Sequence, residues 1–153
     1  MNELTMPVSR ESILTLEDAM KSHPGNFDAN VLPVIHHFAP GVYVREFHLP
    51  AGIAVTGKIH KHQHVAMLIK GKAALSSEFD APQIMEAPYI WISQPGVKRV
   101  VMGIEDAIFV TVHPTELTDL EQIENEVIAK SYEEFDRFKL GQDKTEKLGE
   151  YVL

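Results

Sequence analysis

Three histidines stand at every second position in the stretch GKIHKHQHVAMLIKG, which begins at Gly57. Alternate residues of a β-strand point to the same side, so His60, His62 and His64 would share one face. Imidazole nitrogens are common ligands of divalent metals, and same-face neighbours about 7 Å apart at their Cα atoms can converge on one ion. The outer pair would lie about 13 Å apart in a straight strand, so either the strand bends or one histidine is not a ligand. The pattern indicates a metal site; the alternative is an exposed edge strand that carries three surface histidines.

A further ligand would have to come from a distant part of the chain. His113 is the best candidate because it ends the apolar stretch of residues 108–112. Strand parity then predicts that Phe109 and Thr111 face inward with His113. The chain contains no cysteine, so any metal must be held by histidine, carboxylate or water.

The surrounding chain reads as a β-rich domain. Between residues 31 and 114, short stretches rich in valine, isoleucine and aromatic residues are separated by turn pairs such as Pro40-Gly41 and Pro95-Gly96. This spacing is typical of a β-sandwich or barrel. The predicted strands cover residues 42–49, 60–69, 73–79, 89–93, 97–102 and 107–113.

Helical patterns flank this region. Residues 1–30 are predicted as an N-terminal segment with a short helix, which begins at the capping box that starts at Thr15. Residues 115–140 are predicted to form C-terminal helices, the first with a capping box at Thr118 and an apolar stripe reaching about Ala129. Residues 141–153 form a polar tail whose composition is compatible with disorder.

Composition restricts the function classes. A chain of 153 residues, 44% of them hydrophobic, is sufficient for one domain with a core. No apolar run approaches the roughly 18 residues of a membrane span, and the first residues lack the pattern of a signal peptide, so a cytoplasmic protein is expected. The formal net charge of -8, from 22 acidic and 14 basic residues, disfavours nucleic acid as a partner.

The region from about residue 42 to residue 113 resembles a cupin, a small double-stranded β-helix or jelly-roll barrel. The first cupin motif contains His-x-His, then a glutamate, then six further residues and a glycine. His60-Lys61-His62 match the histidines, Gly71 matches the glycine, and His64 stands at the glutamate position. The chain is also similar to small cupin-like proteins of tailed bacteriophages.

The resemblance implies a mostly β fold with a short N-terminal helix and C-terminal helices. It also implies a divalent transition metal, commonly iron, manganese, nickel or zinc, inside the barrel. The candidate metal ligands are His60, His62, His64 and His113. The second cupin motif normally supplies one more histidine, and this chain has Arg99 there.

Several other side chains are candidates for binding or catalysis. An inward Arg99 would bind a carboxylate or phosphate through two parallel hydrogen bonds, although a surface ion pair is the alternative. Tyr43, Arg45 and Trp91 are further candidates for ligand binding. Arg99 and Glu86 are the candidates for a catalytic role.

These residues predict a metal-binding cupin that acts on or binds a small anionic molecule, with Arg99 as an anion clamp. Whether it is an enzyme is left open, and hydrolase, isomerase and oxygenase chemistry are not distinguished. The alternatives are a non-catalytic protein of phage origin that sequesters a nucleotide signal, and a structural dimer stabilised by metal. Apolar residues on both faces of the strand after His64 require a second covering layer, which is the N-terminal segment, the C-terminal helices or a second subunit. The last of these makes a homodimer a reasonable expectation.

Overall fold

The computed structural model describes residues 9–26 and 31–152, with side chains as far as residue 142. Within these ranges the helices are α1 (Arg10–Ser22), α2 (Leu120–Val127) and α3 (Tyr132–Val152). The strands are β1 (Val34–Ala39), β2 (Val42–Leu49), β3 (Ala54–Thr56), β4 (Ile59–His60), β5 (His64–Lys70), β6 (Lys72–Ser76), β7 (Gln83–Glu86), β8 (Tyr89–Ser93), β9 (Val100–Gly103), β10 (Ala107–Pro114) and β11 (Ile128–Ala129).

The strands form two larger sheets and one small one. The first has the order β1-β2-β10-β5-β8, the second has the order β3-β9-β6-β7, and β4 pairs with β11. The strand pairs are antiparallel. Alternating residues turn their side chains from both larger sheets toward a common interior, which gives the mostly β barrel that the sequence predicted.

One end of the interior is filled by an aliphatic core. Leu68 and Ala73 are fully buried there, and burial of a leucine of this kind contributes about 1.5–3 kcal/mol. The buried members of this cluster are Leu32, Leu49, Leu68, Ala73, Leu75, Met85 and Ala107. Phe47, Trp91 and Phe109 pack on the cluster and line the cavity beside it, which Leu32 and Leu75 of the cluster also reach.

The glycine that closes the first motif has a steric role. Gly71 lies between β5 and β6 with a φ of +85°, in the left-handed region that favours glycine. A Cβ atom at this position would lie 2.1 Å from the carbonyl oxygen of Asp106. The strand reversal after β5 therefore requires glycine.

Several sequence predictions of secondary structure differ from the structure, among them the strands 73–79 and 97–102, which are observed as β6 and β9 with other bounds. Helix α1 begins at Arg10, because Ser9 caps it by accepting a hydrogen bond from the amide of Ser12, and not at the predicted Thr15 capping box. The predicted strand 60–69 is split into β4 and β5. The predicted helix to Ala129 ends at Val127, where the chain turns into β11. The predicted polar tail is helical as far as Val152, and residues 1–8 and 27–30 of the predicted N-terminal segment lie outside the described residues.

The outer face of the first sheet exposes apolar side chains. Ile90 is 66% exposed, and Ile69 and Ile92 are about half exposed on the neighbouring positions of β5 and β8. The predicted homodimer stays a prediction, and this face is where a second copy would bury apolar surface. None of the helices in the described ranges is long and apolar enough to span a membrane.

Candidate metal centre and anion-binding cavity

Three histidines from three strands converge inside the barrel. His60 ends β4, His64 begins β5, and His113 lies near the end of β10. One ring nitrogen from each lies within 4.8 Å of the other two. The ring centroids of His60 and His64 are 4.4 Å apart, and that of His113 is 4.8 Å from His64. This spacing allows all three rings to bind a single ion.

A bend in the backbone brings His60 and His64 together. Residues 61–63 belong to no strand. The bend is held at His60, whose carbonyl accepts a hydrogen bond from the amide of Gly96 (2.9 Å), and at Lys61, whose amide donates to the carbonyl of Val127 (2.7 Å). A straight strand would separate the two histidines by about 13 Å, so this bend is what makes a shared site sterically feasible.

His62 lies outside this cluster, contrary to its predicted role as a ligand. It is exposed, and its Nε2 donates a hydrogen bond to the carbonyl of Glu126 at 3.2 Å. Nζ of the preceding Lys61 donates to the carbonyl of Asn125 at 2.9 Å. The carbonyls at the C-terminal end of a helix have no partner within it, so these two side chains cap α2. The bend turns His62 away from the interior while its two neighbours in the motif point inward.

The three clustered histidines are held in the form that binds metal. Burial, followed by the neighbouring rings of His64 and His113, keeps the pKa of His60 well below its usual range. Burial lowers the pKa of His113 to about 4. Burial also lowers the pKa of His64, whose hydrogen bond to the His62 carbonyl opposes the effect. The imidazoles are therefore neutral at pH 7, as metal ligation requires.

Hydrogen bonds orient two of these rings. Nδ1 of His64 lies 3.2 Å from the carbonyl oxygen of His62, and because a carbonyl only accepts, Nδ1 carries the proton and Nε2 keeps its lone pair. Nε2 of His113 lies 2.9 Å from Oγ1 of Thr111, which faces inward as strand parity predicted. Tyr43 stacks on His113 with centroids 5.9 Å apart, and its hydroxyl lies 2.7 Å from Nδ1 of His36.

The histidine cluster opens into a cavity of about 580 Å³. The prediction that His113, Thr111 and Phe109 face the same interior is confirmed, since all three line this cavity. Its floor is apolar, and α2 forms one wall through Ile123 and Val127.

Two arginines also line the cavity. Nη1 of Arg99 donates a hydrogen bond to Oγ of Ser93 at 2.9 Å, and the guanidinium carbon lies 5.8 Å from the centre of the Trp91 ring. The guanidinium carbon of Arg45 lies 5.2 Å from the centre of the Phe47 ring. Burial lowers the pKa of Arg45 and of Arg99, yet both stay cationic at neutral pH.

Of the residues predicted for ligand binding or catalysis, four line the cavity and one lies outside it. Tyr43, Arg45, Trp91 and Arg99 line the cavity, as candidates for ligand binding should. Glu86 does not: it is exposed on β7, opposite Lys72, because the parity of that strand turns Met85 inward instead.

Sequence reasoning missed other lining residues, among them His36, Ser93 and Glu124. Alternation along β8 predicts Ser93 on the same face as Trp91, so a period-two pattern could have identified it. Glu124 belongs to α2, and no local pattern indicates where that helix docks. His36 is recognised only through its contact with Tyr43.

The donor set fits a transition metal. Three neutral nitrogen ligands suit iron, nickel, copper or zinc better than magnesium or calcium, which prefer oxygen. Three ligands from the protein also leave at least one coordination position that faces the cavity.

Comparison with known proteins adds information on the fold. No protein-family model and no curated protein sequence matches the chain. Among solved structures, ectoine synthase from P. lautus aligns over 72% of this chain and 83% of its own, with a TM-score of 0.53 and 12% identity.

Two further solved structures are named for the fold itself. An RmlC-like cupin family protein with a double-stranded β-helix fold from Methanocaldococcus jannaschii covers 60% of this chain and 88% of its own (TM-score 0.46, 18% identity). A cupin 2 domain-containing protein from Halorhodospira halophila covers 67% of this chain and 80% of its own (TM-score 0.47, 16% identity). These likenesses concern the fold alone.

Proposed function

We propose that this chain, which has the double-stranded β-helix fold of the cupin superfamily, holds a divalent transition metal and binds a small anionic molecule beside it. His60, His64 and His113 would hold the metal, and Arg99 would clamp the anion. The observation that carries the proposal is the convergence of three neutral imidazoles in a cavity that Arg99 also lines. Iron, manganese, nickel and zinc are the metals that the cupin resemblance implies, and the three nitrogen ligands favour iron, nickel and zinc among them.

The chain's own residues account for binding and orientation. Ser93 fixes one nitrogen of Arg99, so the guanidinium keeps its remaining N–H groups for a carboxylate or phosphate. The wall formed by α2 limits the access of water to the histidines, and the pairing of Ile128 with His60 ties that wall to the metal site. When bound, a divalent metal in such a site acts as a Lewis acid toward an oxygen atom of the captured molecule.

Binding without turnover is the second candidate function. Glu86, the predicted acid or base, points away from the cavity. Glu124 lines the rim, but its Oε1 accepts from Nζ of Lys58 at 2.6 Å. This arrangement favours a sequestering protein over an enzyme that depends on a carboxylate for proton transfer. Product analysis by NMR, after incubation of metal-loaded protein with an anion that it binds, separates the two.

The proposal is tested by metal analysis and calorimetry. Purified protein should contain about one transition-metal ion per chain after reconstitution. Loss of a desolvated charge-assisted pair costs about 1.5–3 kcal/mol, so Arg99→Ala should weaken binding of butyrate about tenfold to a hundredfold without changing metal content.

The matched control is Arg137→Ala, which removes the same side chain from an exposed position on α3. Its affinity for butyrate should equal that of the unmodified protein. Equal affinity in the Arg99→Ala protein, or protein that takes up no metal, would refute the proposal.

A further inference from the structure

The cavity contains two guanidinium groups that form no ion pair within the described part of the chain, although Glu124 acts on Arg45 and Asp80 on Arg99 from a longer distance. Arg45 makes no ion pair or hydrogen bond with the described residues, and its guanidinium lies over the face of the Phe47 ring. Arg99 has one hydrogen bond, to a neutral hydroxyl. Both arginines are partly buried, and a partly desolvated cation without an ion-pair partner is unfavourable, so each is suited to bind an anion that enters the cavity.

The sheet register places these cations on opposite sides of the histidines. In the order β2-β10-β5-β8, Arg45 projects from β2, the middle strands carry His113 and His64, and Ser93, which holds Arg99, lies on β8. His64 is directly opposite Ser93 across the strands. Three strand spacings separate β2 from β8, about 14 Å at the backbone, and both arginine side chains extend inward from that span.

The charges around the cavity reinforce this arrangement. Glu124 is the carboxylate among the lining residues, and it lies close enough to influence Arg45. It is about half exposed, however, and its ion pair is with Lys58. The cavity is therefore positive on both sides of the histidines, within a chain whose formal net charge is -8. A local field of this sign selects anions against the general charge of the protein.

An unpaired donor lies beside one of the two arginines. Nε1 of Trp91 is buried and has no hydrogen-bond partner among the described residues. The same indole lies under the guanidinium of Arg99. The ring face therefore supports the guanidinium of Arg99, while the N–H group itself stays buried away from the cavity. Arg99, with Ser93 and Trp91 around it, is thus the more completely built of the two anion sites.

We infer that the ligand of this cavity carries two separate carboxylate groups, one bound by Arg99 and the other by Arg45, with the histidine cluster between them. The inference rests on the proposed function, because it assumes that the cavity binds an anion at Arg99. It adds that Arg45 binds the second carboxylate, and that a short dicarboxylate is therefore the class of ligand that fits the cavity. The planar carboxylate pairs with the guanidinium through two parallel hydrogen bonds.

The test is calorimetry with matched acids on metal-free and metal-loaded protein. Succinate and glutarate are compared with butyrate and pentanoate, which have the same chain lengths and one carboxylate fewer. The better dicarboxylate should bind about tenfold to a hundredfold more tightly than its partner monocarboxylate, whether or not metal is present. Inorganic phosphate, a compact dianion, should not show this gain, because it cannot reach both arginines.

Calorimetry on variants then tests whether Arg45 binds the second carboxylate. Arg45→Ala should lower the affinity for the dicarboxylate at least about tenfold more than the affinity for butyrate, and Arg99→Ala should weaken the binding of both acids. Arg137→Ala is again the control. Circular dichroism checks folding, and Arg45→Gln replaces Arg45→Ala if the smaller side chain disrupts the barrel.

The outcomes separate the two proposals. Suppose that butyrate binds and that Arg99→Ala weakens this binding, but that dicarboxylates bind no more tightly than monocarboxylates. The role of Arg45 is then refuted and the proposed function stands. An equal loss of affinity for both acids in the Arg45→Ala protein would also refute the role of Arg45 in binding a second carboxylate. Arg45 would then act on the anion site at Arg99. If neither metal nor butyrate binds, the proposed function itself fails.

Discussion

Two histidines that are adjacent in the motif should respond differently to the same substitution. His64→Ala removes a ring that lies 4.4 Å and 4.8 Å from its two neighbours in the cluster. His62→Ala removes a ring that caps α2. The backbone carbonyl of His62, which accepts the hydrogen bond from His64, remains in the alanine variant. The substitution at 62 therefore leaves the proposed ligands and their orientation unchanged.

The expected magnitudes differ by at least an order of magnitude. Structural zinc sites with four ligands bind with about 10–16 kcal/mol, or about 3–4 kcal/mol per ligand. Loss of His64 should thus weaken metal binding by about two to three orders of magnitude. Loss of His62 removes one exposed hydrogen bond, which costs up to about 1.5 kcal/mol of folding stability and less than about tenfold in metal affinity.

Competition with a chromophoric chelator measures both affinities, using zinc as the probe metal. Thermal denaturation of the metal-free variants establishes that each is folded at the assay temperature. Equal losses in the His62→Ala and His64→Ala proteins would show that the bend at residues 61–63 does not define the ligand set. Unchanged zinc affinity in the His64→Ala protein would refute the metal centre.

Two predictions concern stability. Since the pKa of His113 is lowered from 6.5 to about 4, this residue binds more protons in the unfolded chain between these values. Its contribution to the unfolding free energy of metal-free protein should be constant above pH 6.5 and fall by about 3 kcal/mol at most toward pH 4, in addition to the losses from His60 and His64, whose pKa values are also lowered. Urea titrations across this range check the slope, which should be shallower in the His113→Gln protein, and an equal slope in both would contradict the assignment. Gly71→Ala should destabilise the fold by at least about 2 kcal/mol more than Gly52→Ala, because both have a positive φ but only the Cβ at 71 would meet the backbone of Asp106. Similar urea midpoints for the two variants would show that the close approach at Gly71 is relieved at little cost.

Much of the barrel could be predicted from local patterns. The predicted strands 42–49 and 89–93 have the observed bounds, and strand 107–113 differs by one residue. Alternation along a strand is a local property, so it also predicted that His113 shares an inward face with Phe109 and Thr111. The short strands β3 and β7 were missed, since three or four residues carry too little pattern to be distinguished from loops.

The residue types that are available for chemistry can be read from the chain directly: histidines at alternate positions, no cysteine, and an arginine where the cupin pattern has a histidine. Which of these side chains meet in space depends on contacts between distant parts of the chain. The bend that unites His60 with His64 and excludes His62 depends on the hydrogen bond from Lys61 to Val127 and on the capping of α2. These contacts join residues more than sixty positions apart, so their free energy exists only once the helix has docked on the barrel, and no local periodicity encodes it.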